Sequence, residues 1–259
     1  MMISRRSFLE RTAAGLCGSS LPPVLLAAHG LRPHARQAAS PSFLDLRRQP
    51  DEVVVHTAAG SQQLRSAPPG LWEGAGISVR AADSGGALRL ELTAPTLGVQ
   101  RIGLRWAGRL GATHLLLGDA WERAYGDLEW RGFVPDRVMP WYVAAWDGTA
   151  THAYGVRTGA RAFCFWQVDE GGLVLWADVR SGGAPLQLGA RVLSVCDVVC
   201  RAGRPGESAF AALGAFCRQM CAAPRLPAAP VYGSNDWYYA YGHNSAETVL
   251  ADTQHLVDL

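Results

Sequence analysis

The chain has 259 residues, 49 % of them apolar, and a formal net charge of +2. That length suits one large domain or two smaller ones with a sizeable core. The charge excess is too small to leave the basic footprint of a nucleic-acid binder. Much of it lies in arginines near the start, and lysine is absent, so all 24 basic residues are arginine.

Residues 1–40 read as a targeting signal and linker. Ser4-Arg5-Arg6-Ser7-Phe8-Leu9-Glu10 is a twin-arginine pattern, followed by a mild apolar run to Ala28. Such signals are addresses read by a receptor and do not anchor in the bilayer. Pro22 and Pro23 break the run, which is too short to span a membrane. The pattern predicts export to the periplasm or beyond, cleavage between Ala28 and Ser40, a disordered linker over Leu31 to Pro41, and no stable membrane insertion.

Residues 41–206 read as a β-sandwich domain. From Glu52 to Arg201 short strand-like runs follow one another. Ile77, Val79 and Ala81 alternate with polar residues, and so do Leu88, Leu90 and Leu92, with Gly85-Gly86 as a hairpin signal between them. Further runs are Val53–Val55, Ile102–Trp106, His114–Leu117, Trp141–Trp146, His152–Val156, Ala162–Val168, Leu173–Val179 and Val192–Cys200. Asp147-Gly148 and Asp169-Glu170-Gly171-Gly172 supply turns. Evenly spaced short strands predict an antiparallel sandwich with almost no helix, and runs apolar on both faces predict a sheet covered on each side.

One insertion, Gly118 to Arg131, interrupts this rhythm with Trp121, Tyr125, Trp130, four carboxylates and two arginines. Exposed rings on a loop cost free energy unless something covers them. A neighbouring domain is the first expectation for that cover and a sugar the second.

Cys17 lies in the leader, leaving Cys164, Cys196, Cys200, Cys217 and Cys221. Five is odd, so a fully paired disulfide framework is impossible. No histidine accompanies them in the same segment, so buried free thiols are expected and not a metal site.

Residues 207–230 read as a connecting helix and proline-rich linker. Phe210, Leu213, Gly214, Phe216, Cys217 and Met220 mark an apolar stripe at helical spacing. Pro224, Pro227 and Pro230 then impose an extended connector. Residues 231–259 read as strand, aromatic loop and helix, the opening βα unit of a repeating α/β fold. Val231 to Ser234 is the expected strand, and Asn244 with Glu247 the expected capping box of the helix. One strand and one helix do not complete such a fold, so the chain is read as the front part of a larger protein. His243 and His255 lack metal-ligand spacing and read as solvated or packed.

Four segments together resemble α-galactosidase-like (melibiase) proteins of glycoside hydrolase family 36 and its clan. They are Asp119-Ala120-Trp121-Glu122-Arg123 through Trp130-Arg131, Met139-Pro140-Trp141-Tyr142, Phe163 to Asp169, and Asn235-Asp236-Trp237-Tyr238-Tyr239-Ala240-Tyr241-Gly242. The resemblance spans residues 70 to 259. It implies an N-terminal β-supersandwich, a connecting helix and the first βα unit of a catalytic (β/α)8 barrel. In the family the first barrel strand carries an Asn-x-Trp segment whose Trp lies near the sugar, and Trp237 matches it, with Asp236 beside it. Both are the expected substrate-binding residues, and the C-terminal end of a barrel strand is where such residues face the active site. Asp236, Tyr238, Tyr239 and Tyr241 depart from the commoner pattern, in which Glu follows Trp, so the sugar and linkage stay open.

The resemblance implies an exported retaining glycosidase acting on α-galactosides, with carbohydrate as its partner and no cofactor or metal. A retaining enzyme needs two carboxylates about 5 Å apart. In the family these are aspartates on later barrel strands, so no carboxylate of this chain is expected to be catalytic, and this chain alone is expected to be inactive. Two alternatives stand beside this reading: a non-catalytic carbohydrate-binding or assembly module, and a transglycosylase passing galactose to a sugar acceptor. If the chain self-associates, the sandwich is the expected contact surface.

Overall fold

The structure, a computed structural model, describes residues 43–108, 110, 115–118, 129–134 and 137–258. The twin-arginine segment and linker, His114, the middle of the aromatic insertion with Trp121 and Tyr125, and Leu259 lie outside the described residues.

Among the described residues, strands form two antiparallel sheets. The five-stranded sheet runs β11 (Phe163–Asp169), β12 (Gly172–Asp178), β7 (Val99–Ala107), β1 (Glu52–Thr57), β2 (Gly60–Gln63). The eight-stranded sheet runs β3 (Arg65–Ser66), β4 (Leu71–Gly74), β5 (Ile77–Asp83), β6 (Leu88–Thr93), β13 (Val192–Arg201), β10 (Thr151–Val156), β9 (Tyr142–Trp146), β8 (Leu115–Leu117). Their inner faces share one core, where Val53, Ile102, Leu104 and Trp166 of the first sheet meet Val79, Leu90, Leu92 and Tyr154 of the second. The antiparallel sandwich read from the alternation is therefore present. In β6, for example, Leu88, Leu90 and Leu92 are buried while Arg89 points outward.

The turns form where glycine was read as punctuation. Gly85 and Gly86, between β5 and β6, have φ of +59° and +80°, a region that residues with a Cβ seldom adopt. At Gly172, the first residue of β12, an added Cβ would lie 2.1 Å from the Trp106 carbonyl oxygen. Side chains then tie the hairpins to the sheets. Asp169 accepts two hydrogen bonds from Arg105 at 2.8 and 2.9 Å and one from Gly171 N. The buried His152 accepts from Gly203 N through Nδ1, so its Nε2–H donates to Asp147 at 3.1 Å, fixing the β9–β10 turn.

Strand β10 is buried at all six positions, and the cause is a second layer. Its inner face enters the sandwich core, while Ala153 on its outer face joins Ala87, Val199, Phe216 and Met220 in a separate apolar cluster. The last two belong to helix α1 (Ala209–Met220). Gly155 leaves room for it, since a Cβ there would stand 3.0–3.1 Å from Met220 Sδ and the Phe216 ring. Ser208 caps the helix by accepting from Ala211 N at 3.2 Å. Gln219 and Thr158 fasten its other end through the Cys200 and Met220 carbonyls.

The stripe read from sequence needs correction at two positions. Residues 212, 216 and 220 make the contact, four apart, with Leu213 half-buried beside them. Phe210 falls on the opposite side of the helix and is 89 % exposed, and Cys217 is exposed as well.

The tail departs further from expectation. Val231 to Ser234, expected as a first barrel strand, forms no strand. A β-strand exists through its ladder partners, and no described strand lies beside this one. Trp237 does not follow a strand but opens the one-turn helix α2 (Trp237–Ala240). The last helix, α3 (Ala246–Val257), is present, with its cap one residue later than read: Ser245 and Thr248, not Asn244 and Glu247, form the capping box. No side chain from 221 to 258 is buried. Among the described residues no helix is long and apolar enough to cross a membrane.

Candidate functional site

Two places carry the surface chemistry. The first is the aromatic segment before α3. Asn235 Oδ1 accepts from Trp237 N at 3.0 Å and starts the turn of α2. Tyr241 ends it in the left-handed conformation, with φ of +46°, followed by Gly242 at +87°. The Trp237 and Tyr241 rings tilt together with centroids 6.1 Å apart. Asp236 accepts from Asn244 Nδ2 at 2.9 Å through one carboxylate oxygen, which leaves the other free to accept. Asn244, displaced from the capping role, thus braces Asp236. The Tyr239 hydroxyl donates to Asp252 on α3, and the carboxylate pushes the Tyr239 pKa up to about 12.

These bonds bring the two sequence-predicted residues, Trp237 and Asp236, side by side on one turn. The Trp237 ring is 57 % exposed, and its indole N–H has no acceptor among the described residues. Tyr238, Tyr239 and Tyr241 are exposed around it. A row of uncovered rings on a polar turn is the composition of a contact surface.

The second place is a cavity of about 370 Å³ on the outer face of the eight-stranded sheet, at the N-terminus of α1. Its floor is a lateral row across three strands, because Leu115 pairs with Trp146 and Trp146 pairs with Thr151. Trp130 closes one side. Its segment is pinned by paired backbone bonds between Leu116 and Arg131 at 2.7 and 2.9 Å. Glu207 and Ser208 close the other. Arg201 holds the Glu207 carboxylate with bonds of 2.6 and 2.9 Å and lowers its pKa, so it is charged at neutral pH.

Neither indole N–H of Trp130 or Trp146 has an acceptor among the described residues. The cavity therefore offers two aromatic faces, two unused donors, a fixed carboxylate and a serine hydroxyl, within the usual size range of small-ligand sites. Among the described residues that line it, Glu207 is the one carboxylate, whereas glycosidic cleavage with retention uses two. A larger hollow of about 710 Å³, near β2, β4 and β5, is lined by Gln62, Gln63, Arg65 and Glu73 and presents no aromatic ring.

Sequence reasoning named Trp130 as part of the aromatic insertion but did not connect it with Trp146, Thr151, Glu207 or Ser208. One signal was there to read: Trp146 stands at the end of a strand directly before the Asp147-Gly148 turn, where a large ring is least easily buried. The link to Glu207 comes only from the strand order. Among the described residues, no group of three or more His, Cys, Asp and Glu side chains is placed to hold a metal ion. No family model matches the chain, and no curated protein matches its sequence.

Proposed function

We propose that the chain forms the leading sandwich and the opening of the catalytic barrel of an exported, α-galactosidase-like retaining glycoside hydrolase, and that Trp237 and Asp236 contact the sugar. The exposed turn carrying both residues is the observation on which this reading rests. Its support is the order of elements: an antiparallel sandwich, a helix laid on its outer face, a proline-rich extension, then an aromatic turn and an amphipathic helix whose apolar residues are uncovered. The broad face of Trp237 suits the C–H face of a galactosyl ring, its N–H a hydroxyl, and the free Asp236 oxygen a second hydroxyl. The two catalytic aspartates are then supplied by later barrel strands.

The test is Trp237→Ala in the protein that carries this chain ahead of a complete barrel. Affinity for galactose as a competitive inhibitor should fall by about 1–3 kcal/mol, comparable to removing one large buried contact, with the melting temperature unchanged. A lower melting temperature with unaltered galactose affinity would return Trp237 to a packing role.

The cavity between Trp130 and Trp146 favours a second reading, a carbohydrate-binding module without catalysis. Galactose titrated into the chain as it stands separates the two. Loss of binding in Trp146→Ala but not Trp237→Ala supports the module; the reverse supports the barrel.

A further inference from the structure

We infer that Cys164 and Cys196 form a disulfide that ties the two sheets together at the corner where the chain passes from one to the other. Cys164 is the second residue of β11, in the five-stranded sheet, and Cys196 lies in β13, in the eight-stranded sheet. Face-to-face sheets are separated by roughly 10 Å, too far for most disulfides, whose Cα atoms stand about 4.4–6.8 Å apart. This corner is narrower. After β10 the chain runs beside β13 before it enters β11: Arg157 N donates to the Asp197 carbonyl at 2.9 Å, and Arg161 N donates to the Val195 carbonyl at 2.8 Å. The backbone three residues before Cys164 is thus hydrogen-bonded to the residue next to Cys196.

Strand β13 also shifts register against β6 between Ser194 and Cys196, the kind of bulge that re-aims a side chain. Both thiols are buried in the shared core. The Cys164 thiol donates to the Ala162 carbonyl at 3.6 Å, and the neighbouring Cys164 thiol, followed by burial, holds the Cys196 pKa well above the ordinary thiol value.

The other cysteines are differently placed. Cys200 is engaged at both ends, accepting from Leu46 N at 3.3 Å and donating to Asp45 Oδ1 at 3.4 Å. Burial first, then the Asp45 carboxylate, push its pKa up to about 11. Cys217 is exposed and Cys221 half-buried, both at the α1 end of the molecule. An odd set of five therefore resolves into one facing pair and three single thiols.

The chemistry is two thiol–disulfide exchanges with a small disulfide such as oxidised glutathione. One cysteine thiolate attacks a glutathione sulfur, forms a mixed disulfide and releases one glutathione. The second thiolate attacks the cysteine sulfur of that mixed disulfide, closes the Cys164–Cys196 bond and releases the second glutathione. Two electrons pass to glutathione, and the two cysteine protons end on its thiols. Because the Cys196 thiol stays protonated in the closed core, exchange takes place during folding or when the corner opens.

The experiment uses the full chain, unfolded in denaturant and refolded with oxidised glutathione, alongside native chain incubated with the same reagent. Free thiols are then alkylated, the chain is cut at arginine, and the peptides are weighed without reduction. Cys164 falls in residues 162–180 and Cys196, with Cys200, in residues 192–201. The expected product is these two peptides joined, still joined in Cys200→Ser and separate in Cys196→Ser. The oxidised chain should melt about 5–10 °C above the dithiothreitol-treated one, the shift expected for closing a loop of this length in a domain of this size. That difference should vanish in Cys164→Ser.

Native-like chain, judged by circular dichroism, that carries alkyl groups on both Cys164 and Cys196 after refolding with oxidised glutathione would overturn the inference. So would a link that survives Cys196→Ser but is lost in Cys200→Ser.

Discussion

Helices α1 and α3 are each twelve residues long, each capped by a serine, and each apolar along one side, yet α1 buries Ala212, Phe216 and Met220 while α3 buries nothing. Local signals are the same in both: a side-chain oxygen satisfies an orphan N–H at the first turn. The difference lies in what each helix meets. Helix α1 rests on a floor of small residues, Ala87, Ala153 and Gly155, that admits the Phe216 ring to close contact. Helix α3 has no such floor among the described residues, and an isolated helix of this length is marginal in water. Capping decides where a helix starts, and the facing surface decides how much it contributes to stability.

The contrast can be broken most sharply at α1. Phe216→Ala should cost about 3–5 kcal/mol in denaturant unfolding, because a fully buried ring leaves a cavity. Phe210→Ala, on the solvent side of the same helix, should stay within about 0.5 kcal/mol. Equal losses at the two positions would mean that α1 does not lie on the sandwich as described.

Acid offers a second test, because the carboxylates with lowered pKa include Asp45, Asp169 and Asp178, along with Asp51 and Glu207. Arg47 holds Asp45 down to about 2, and Arg105 and Arg180 lower Asp169 and Asp178. A depressed carboxylate stabilises the fold above its unfolded pKa of about 3.9, and that contribution is lost as pH falls through its folded value. Stability should therefore hold from neutral pH to about 4 and decline toward pH 2. Asp45 is exposed enough for solvent to screen its pair, so Asp45→Asn should flatten the decline by no more than about 1 kcal/mol. A decline that begins near pH 6 would point to histidine instead.

The smallest effect belongs to the tail. Ser245→Ala should cost α3 about 1 kcal/mol of local stability, seen as faster amide exchange at Ala246 to Thr248, while the cooperative melt of the sandwich stays put. Asn244→Ala should leave those amides unchanged, since Asn244 serves Asp236 and not the helix end. A shift of the main melt by Ser245→Ala would show that α3 is packed after all.

These contrasts also mark how far the sequence could be read. Period-two alternation placed β5 and β6, because burial on one face leaves that imprint directly, and the glycine pairs placed the β5–β6 and β11–β12 hairpins. The all-exposed Gly60–Gln63 strand left none. The double burial of β10 was readable as a sheet covered on each side, though not what covers it. In the tail, Asn244 and Ser245 are both good caps, and only the actual bonds separate them. The expectation of a strand at Val231 rested on partners that the described residues do not include. Of the candidate sites, Trp237 with Asp236 lay in one short stretch and could be named together. The Trp130 cavity draws on four separated stretches, which only strand order brings together.

That strand order has a consequence for synthesis. In the eight-stranded sheet, β13 lies between β6 and β10. When the nascent chain has emerged as far as β10, the sheet exists only as two halves, β3 to β6 and β8 to β10, each with an open edge toward the other. The strand that joins them comes about 100 residues after β6, a wait of roughly 5–20 s at ordinary translation rates. Unpaired edges template pairing with other chains. Slowing the ribosome between Val156 and Val192 should therefore lower the soluble yield without altering the finished molecule, and an identical pause after Arg201 should be harmless.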